Sequence, residues 1–205
     1  MVITAGDLSI KEAIEGLIKE EMRESLMSRV GVDSNCVTFL LQAMTGDYNP
    51  ALDNDSRLRP ERIALFRIFL YKNNLYTTPQ VRKEITRIQN TTNQKNHLLH
   101  DMVIFGKVGT LENLGIEEVL QLKNEFMKIH NSENDCQILA EAVRGQLDCF
   151  LTYDKNFLKR LVGKTQITLS KPSEHWSRLP INPGTEPKII PHCTNPLCFQ
   201  EWWRV

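Results

Sequence analysis

The chain has 205 residues, of which 41% are hydrophobic and 24% are charged, and this composition is typical of a soluble globular protein rather than a disordered one. Lysine and arginine together number 25, as do aspartate and glutamate, so the formal net charge is zero and excludes a globally basic nucleic-acid-binding protein. The length suits one substantial domain with extensions, and nucleic-acid binding would need a local basic patch.

The sequence predicts a cytoplasmic protein with no membrane span. Charged residues recur through the first 21 positions and leave no uninterrupted apolar core for a signal peptide. The most apolar stretch, residues 63–71, is interrupted by Arg67 and is far shorter than the roughly 20 residues that span a bilayer. Five cysteines, an odd number, favour free thiols in a reducing compartment, and three of them are predicted to be buried: Cys36, Cys136 and Cys149.

Residues 1–29 are predicted to form an amphipathic helical extension, because their apolar residues recur every three or four positions. A short apolar run at 30–32 then predicts a strand that ends at Asp33, and a helix over 36–44 follows it. Glycine, aspartate, asparagine and proline dominate the segment 45–59, which is therefore predicted to be a loop.

The middle of the chain predicts a helix over 61–72 and a short strand over 75–78. Pro79 suits the first position of a further helix, and Glu84 falls in the early turns of that helix. Residues 90–115 mix polar and apolar positions with glycines and support no firm prediction.

The second half of the chain alternates helical patterns with short apolar runs. The predicted elements are helices at 116–130 and 133–144, a strand at 149–152, a helix at 155–161 and a strand at 166–169. Ser132 is the predicted N-cap of the second helix, Asp135 lies in its first turn, and Asp154 follows the buried strand. This alternation predicts an α/β fold, a three-layer α/β/α sandwich with a mostly parallel central sheet.

Residues 30–179 are predicted to form the domain, and residues 180–205 to form a proline-rich extended tail that ends in an aromatic pair, Trp202 and Trp203. We expect this tail to lie on the domain or on a partner. Three residues of this tail, His192, Cys193 and Cys198, leave zinc open, although their spacing departs from the paired cysteines of structural zinc sites.

Four acidic residues are predicted to meet at one edge of the sheet: Asp33, Glu84, Asp135 and Asp154. Functional groups gather outside the carboxyl ends of parallel strands, where these residues are placed. Carboxylates packed together repel one another unless a cation neutralises them, and their hard oxygen ligands favour Mg²⁺ or Mn²⁺. Such ions would hold a phosphodiester and activate water.

Each acid also has a purely structural interpretation. Asp33, Asp135 and Asp154 suit helix caps or the positive end of a helix dipole, and Glu84 suits a solvated helix face. Their joint placement, with apolar strands directly before two of them, favours a shared metal site.

Four segments of the chain resemble, in order, the conserved blocks of the PIN domain: residues 30–35, 79–85, 135–140 and 150–157. The resemblance covers residues 30–179. It implies a metal-dependent endoribonuclease that hydrolyses phosphodiester bonds of single-stranded RNA, with the four acids as the catalytic quartet that binds Mg²⁺ or Mn²⁺. By the same resemblance, Asn35 and Thr152 would orient the acids or a bound water.

Positively charged residues flank the proposed ligands. Arg82 and Lys155 are the preferred phosphate contacts, since a cation follows the RNA backbone through charge without reading sequence. A simple surface role explains both residues equally well.

Two further functional hypotheses stay open. One is a catalytically inactive PIN-like module that binds nucleic acid or protein. The other is the toxin of a toxin-antitoxin pair, in which the tail or the N-terminal helix contacts an antitoxin or another protein partner. The sequence also leaves open a homodimer, the identity of the RNA, and whether DNA is cut.

Overall fold

The computed structural model describes residues 28–45, 54–72, 74–87 and 104–205. The predicted N-terminal helix lies outside these ranges except for Ser28 and Arg29, which are not helical and lead into the first strand.

Within these ranges the sheet has five strands, all of them parallel. They are β1 (Val30–Val32), β2 (Leu75–Thr77), β3 (Gly106–Lys107), β4 (Cys149–Leu151) and β5 (Thr168–Ser170), in the order β3-β2-β1-β4-β5. The predicted α/β class and three-layer α/β/α sandwich are confirmed. The strands β1, β2 and β4 lie where the apolar runs predicted them, β5 begins two residues later, and β3 was not predicted.

Eight α-helices surround the described part of the sheet: α1 (Ser34–Thr45), α2 (Arg59–Lys72), α3 (Pro79–Ile85), α4 (Leu111–Leu114), α5 (Ile116–Met127), α6 (Glu133–Arg144), α7 (Lys155–Leu161) and α8 (Pro172–Trp176). A 3₁₀ turn, Pro196–Phe199, follows them. None of the helices in the described ranges is both long enough and apolar enough to cross a bilayer.

Side chains of β4 show how the helices cover both faces of the sheet. The ring of Phe150 stacks on Phe157 of α7, with 6.0 Å between centroids. The Sγ of Cys149 lies 3.5 Å from Nδ1 of His175 in α8. Because successive side chains of a strand point to opposite faces, α7 and α8 belong to different layers. Within the layers, α2 packs against α8 and α5 packs against α6.

All five cysteines are free thiols, and the three predicted to be buried are buried. Burial raises the pKa of Cys149 to about 12 and that of Cys136 to about 11, and it raises the pKa of Cys36 well above its ordinary value. These thiols are therefore protonated, and they pack as small apolar side chains.

The C-terminal segment, residues 180–205, packs against α2. The Trp203 side chain is only 3% exposed and belongs to the hydrophobic core. The ring of Trp202 lies 5.1 Å from that of Phe66, and Nη2 of Arg67 donates to the carbonyl oxygens of Trp202 and Arg204 at 2.9 and 3.0 Å. The aromatic end of the predicted tail thus covers a helix of its own domain.

The order of the strands creates a crevice at one place along the sheet edge. From β1 the chain proceeds to β2 and β3 on one side, and it then crosses to β4 and β5 on the other side of β1. The direction of winding therefore reverses between β1 and β4. In open parallel sheets this switch point, at the carboxyl ends of the strands, is where ligands bind.

Candidate functional site

Asp33 lies at the carboxyl end of β1, beside the switch point. The parallel register pairs Val32 with Leu151, and the N–H of Asp33 donates to the carbonyl oxygen of Leu151 at 3.2 Å. Its Oδ2 accepts a hydrogen bond from the hydroxyl of Thr152, and its Oδ1 accepts one from the N–H of Cys36 at 2.8 Å. Burial raises the pKa of Asp33, and these hydrogen bonds oppose that rise in part. The carboxylate is thus buried and fixed in direction.

Thr152 connects Asp33 to Asp154. Its hydroxyl oxygen accepts a hydrogen bond from the N–H of Asp154 at 3.0 Å. Asp154 is exposed and caps α7, because its Oδ1 accepts from the N–H groups of Asn156 and Phe157 at 2.6 and 3.0 Å. The cap uses one oxygen, and no residue in the described ranges donates to the other. Capping of α7 is therefore compatible with binding of a ligand at the second oxygen.

Glu84 lies half-buried on α3, and its charge acts on Asp33. Burial is the largest cause of the raised pKa of Asp33, and the negative charge of Glu84 adds to it. The Nε2 of Gln80 is 3.5 Å from Oε1 of Glu84 and donates to Oδ1 of Asn134 at 3.1 Å. Gln80 thereby links the start of α3 to the start of α6, where the next acid lies.

Asp135 lies in the first turn of α6 and pairs with a histidine. Its Oδ2 is 2.7 Å from Nε2 of His130, a residue that the sequence did not connect to any acid. The His130 ring is buried and packs edge-on against Phe157, with 6.0 Å between centroids. The N–H of Asp135 donates to Oγ of Ser132 at 3.3 Å, which confirms Ser132 as the N-cap.

Glu141 of α6 is a fully buried acid near this edge that sequence reasoning did not single out. Its Oε2 accepts from the N–H of Gln80 at 2.7 Å, and its Oε1 accepts from Nε2 of Gln137 at 2.8 Å. Burial raises the pKa of Glu141, and the charge of Glu84 adds to this. A signal was available, since Asn134, Gln137 and Glu141 recur on one face of the helix at intervals of three and four.

Removal of the Glu141 carboxylate is expected to destabilise the fold. In Glu141→Ala the buried N–H of Gln80 loses its acceptor, so the free energy of unfolding should fall by about 1–3 kcal/mol. Glu141→Gln keeps a carbonyl oxygen for that N–H and should lose less than half as much. Urea denaturation of both variants tests this, and an equal loss in the two variants would contradict the assigned hydrogen bond.

No family model matches the chain, and no curated protein matches it either. The PIN resemblance therefore rests on the four sequence segments quoted above.

The remaining predicted residues are close to these acids in the chain. Asn35 is exposed in the first turn of α1, two positions after Asp33. Arg82 is half-buried on α3, two positions before Glu84. Lys155 is exposed at the first position of α7 and lines a cavity beside the site. Each lies within two positions of a predicted ligand in the chain.

The oxygen donors suit a hard cation, although the side chains do not converge tightly. Within the described ranges, no three His, Cys, Asp or Glu side chains lie close enough together to hold one metal ion. Asp33 is linked to Asp154 through Thr152 and to Glu84 through charge, whereas Asp135 is paired with His130. A buried carboxylate beside a second negative charge is nevertheless a position that a divalent cation would stabilise.

Proposed function

We propose that the protein is a divalent-metal-dependent endoribonuclease that hydrolyses phosphodiester bonds of single-stranded RNA at a PIN-like site. The observation that supports this most strongly is the position of Asp33, a buried carboxylate at the switch point between β1 and β4. It is hydrogen-bonded to Thr152, which in turn contacts Asp154. Functional sites often contain acids that are harder to ionise because they are buried. A bound ligand then compensates for the cost of burying the charge.

The cofactor in this proposal is Mg²⁺ or Mn²⁺, held by carboxylates of the predicted quartet: Asp33, Glu84, Asp135 and Asp154. The donor chemistry supports these ions, because all four side chains offer only hard oxygen ligands. When bound, such an ion activates water and stabilises negative charge on the phosphate oxygens.

The protein's own residues orient these acids. Thr152 donates to one oxygen of Asp33 and accepts from the N–H of Asp154, so a single hydroxyl sets the spacing between the two chain segments. His130 holds one oxygen of Asp135 in the same way. In the hydrolysis, water adds to phosphorus, the bond from phosphorus to a ribose oxygen breaks, and that oxygen takes up a proton. The positive charges of Lys155 and Arg82 would attract the phosphates of the RNA backbone.

Cleavage of a mixed-sequence single-stranded RNA with Mn²⁺ and with EDTA tests the proposal. The wild type should cut with Mn²⁺ and not with EDTA, and Asp135→Asn should reduce the rate by about 100-fold or more because a ligand is lost. Glu133→Gln is a matched control, since it neutralises an exposed acid in the same helical turn that pairs with Lys123 at 2.5 Å. Absence of cutting by folded wild type would instead favour the inactive binding module.

A further inference from the structure

A cavity of about 260 Å³ lies beside the candidate site. It is lined by the beginning of α2 and the residues just before it, by the segment that follows β4, and by Lys171, which directly follows β5. Since the strands are parallel, Lys171 lies at the same edge of the sheet as Asp33. The cavity and Asp33 therefore lie at the same edge of the sheet.

Three cationic side chains line this cavity, Arg57, Lys155 and Lys171, against two acidic ones. The first acid, Asp55, accepts from the N–H groups of Arg57 and Leu58 at 3.0 and 3.3 Å and lies 3.5 Å from Nε of Arg57. These contacts bind Asp55 to its own chain segment and partly neutralise Arg57.

Glu61 is the second acid, and its two oxygens accept from the N–H and the hydroxyl of Ser173, both at 2.9 Å. Neither Lys155 nor Lys171 forms an ion pair with a residue in the described ranges. The cavity thus has one positive charge in excess, and both lysine charges remain available to an anionic ligand.

Tyr153 forms the boundary between the cavity and the acids. Its side chain lines the cavity. Burial is the main cause of the raised pKa of its phenol, and the negative charge of the nearby Asp33 adds to that rise. The ring packs edge-on against Phe39, with 5.6 Å between centroids. Tyr153 and Leu58 therefore form an apolar wall of the cavity, and Tyr153 directly precedes Asp154 in the chain.

We propose that this cavity binds one nucleotide of the RNA strand next to the scissile phosphate. In this arrangement Lys155 and Lys171 contact the phosphate of that nucleotide, and the wall formed by Tyr153 and Leu58 contacts its base. Proteins that bind single strands combine cations with aromatic side chains in this way. The cavity volume, about 260 Å³, is just below the roughly 300–1,000 Å³ usual for small-ligand sites, which suits one nucleotide better than several. The inference rests on the proposed function, since it assigns the cavity to the same substrate.

Binding can be measured apart from cleavage. Fluorescence anisotropy of a short labelled single-stranded RNA in EDTA would give the dissociation constants of the wild type, Lys171→Gln and Lys164→Gln. Lys164 is exposed near the opposite end of β5 and is the matched control. Lys171→Gln should raise the dissociation constant by about three- to tenfold and reduce the salt slope by about 0.7, the value for one phosphate contact on a single strand. Lys164→Gln should match the wild type.

Competition with small ligands tests the contact with the base. Adenosine 5′-monophosphate should displace the labelled RNA from the wild type at lower concentration than inorganic phosphate does. In the double variant Lys155→Gln/Lys171→Gln both competitors should bind more weakly, because both carry the phosphate that the lysines contact, while the preference for the nucleotide should remain. Equal competition by inorganic phosphate would overturn the nucleotide assignment, as would an unchanged dissociation constant in Lys171→Gln. Both lysines are surface residues, so the variants should keep the wild-type melting temperature within a few degrees.

The two proposals fail separately. Metal-dependent cutting by the wild type, together with unchanged RNA binding by Lys171→Gln, would refute the cavity assignment alone. Weakened binding by Lys171→Gln, without any cutting by the wild type, would refute the nuclease alone and leave a single-strand-binding protein.

Discussion

Asp33→Asn is expected to reduce metal-dependent RNA cleavage by at least about 100-fold, because it removes the most buried carboxylate of the proposed quartet. The fold should persist. Asparagine keeps an oxygen that can accept from the N–H of Cys36 at the start of α1, and its amide group can donate to the hydroxyl oxygen of Thr152. Burial raises the pKa of Asp33, which means that the charged carboxylate is less favourable in the folded state than in the unfolded state. Because the substitution removes this charge, the free energy of unfolding at neutral pH should not fall.

Single-turnover cleavage with Mn²⁺ measures the loss of activity, and urea denaturation measures the stability of the same variant. Asp148→Asn provides a matched control, since Asp148 is exposed and precedes β4 at the opposite end of the sheet. Its Oδ2 accepts from the N–H of Arg29 at 2.7 Å, a contact that the oxygen of asparagine can reproduce. Cleavage at the wild-type rate in Asp33→Asn would exclude Asp33 as an essential ligand.

Trp203→Ala is expected to lower the free energy of unfolding by about 3–5 kcal/mol, as is usual when a buried tryptophan is reduced to alanine. The Trp203 side chain is 3% exposed and belongs to the core cluster that includes Phe66 and Leu70 of α2. The loss would be a large fraction of the stability of a typical domain. Part of the protein should therefore be unfolded or prone to aggregation at 37 °C.

The matched control for this change is Phe199→Ala, in the same segment. Phe199 is 78% exposed, so its removal should change the free energy of unfolding by less than about 0.5 kcal/mol. Urea denaturation of the two variants compares a buried with an exposed aromatic residue. Equal stability of both variants would show that residues 180–205 do not contribute to the core.

The sequence predicts the central elements of the fold well because their signals are local. Parallel strands covered on both faces are continuous apolar runs, and such runs marked β1 and β4 together with the acids that follow them. Ser132 identified the beginning of α6, because its side chain caps the N–H of Asp135, only three residues later in the chain. These are the elements that bring Asp33, Thr152 and Asp154 together.

The missed elements depend on partners that are distant in sequence. The strand β3 contains only Gly106 and Lys107, and it exists through pairing with β2. A Cβ at Gly106 would lie 2.6 Å from the ring of Tyr76, so the close approach of the two strands requires glycine there. Neither residue has the β propensity that marks a strand in a sequence.

The same reasoning explains what the sequence did not show at the candidate site. His130 and Glu141 became relevant through contacts with Asp135 and Gln80, on other turns or other helices. Lys171 joins Lys155 at the cavity only because β5 lies beside β4 in the sheet. Local patterns identify the acids that follow strands, whereas the groups that orient them depend on packing.

Because three of the thiols are buried, an alkylating reagent should react only with the other two cysteines of the native protein. Thiolate is the reactive form of cysteine, and the raised pKa values of Cys36, Cys136 and Cys149 keep these groups protonated. Their burial also keeps reagents in solution from reaching them. Cys193 is exposed and Cys198 partly so, and both belong to residues 180–205. A maleimide dye added to the native protein would therefore report on the segment that carries Trp203, and labelling of the other three thiols would mark molecules in which the core has opened.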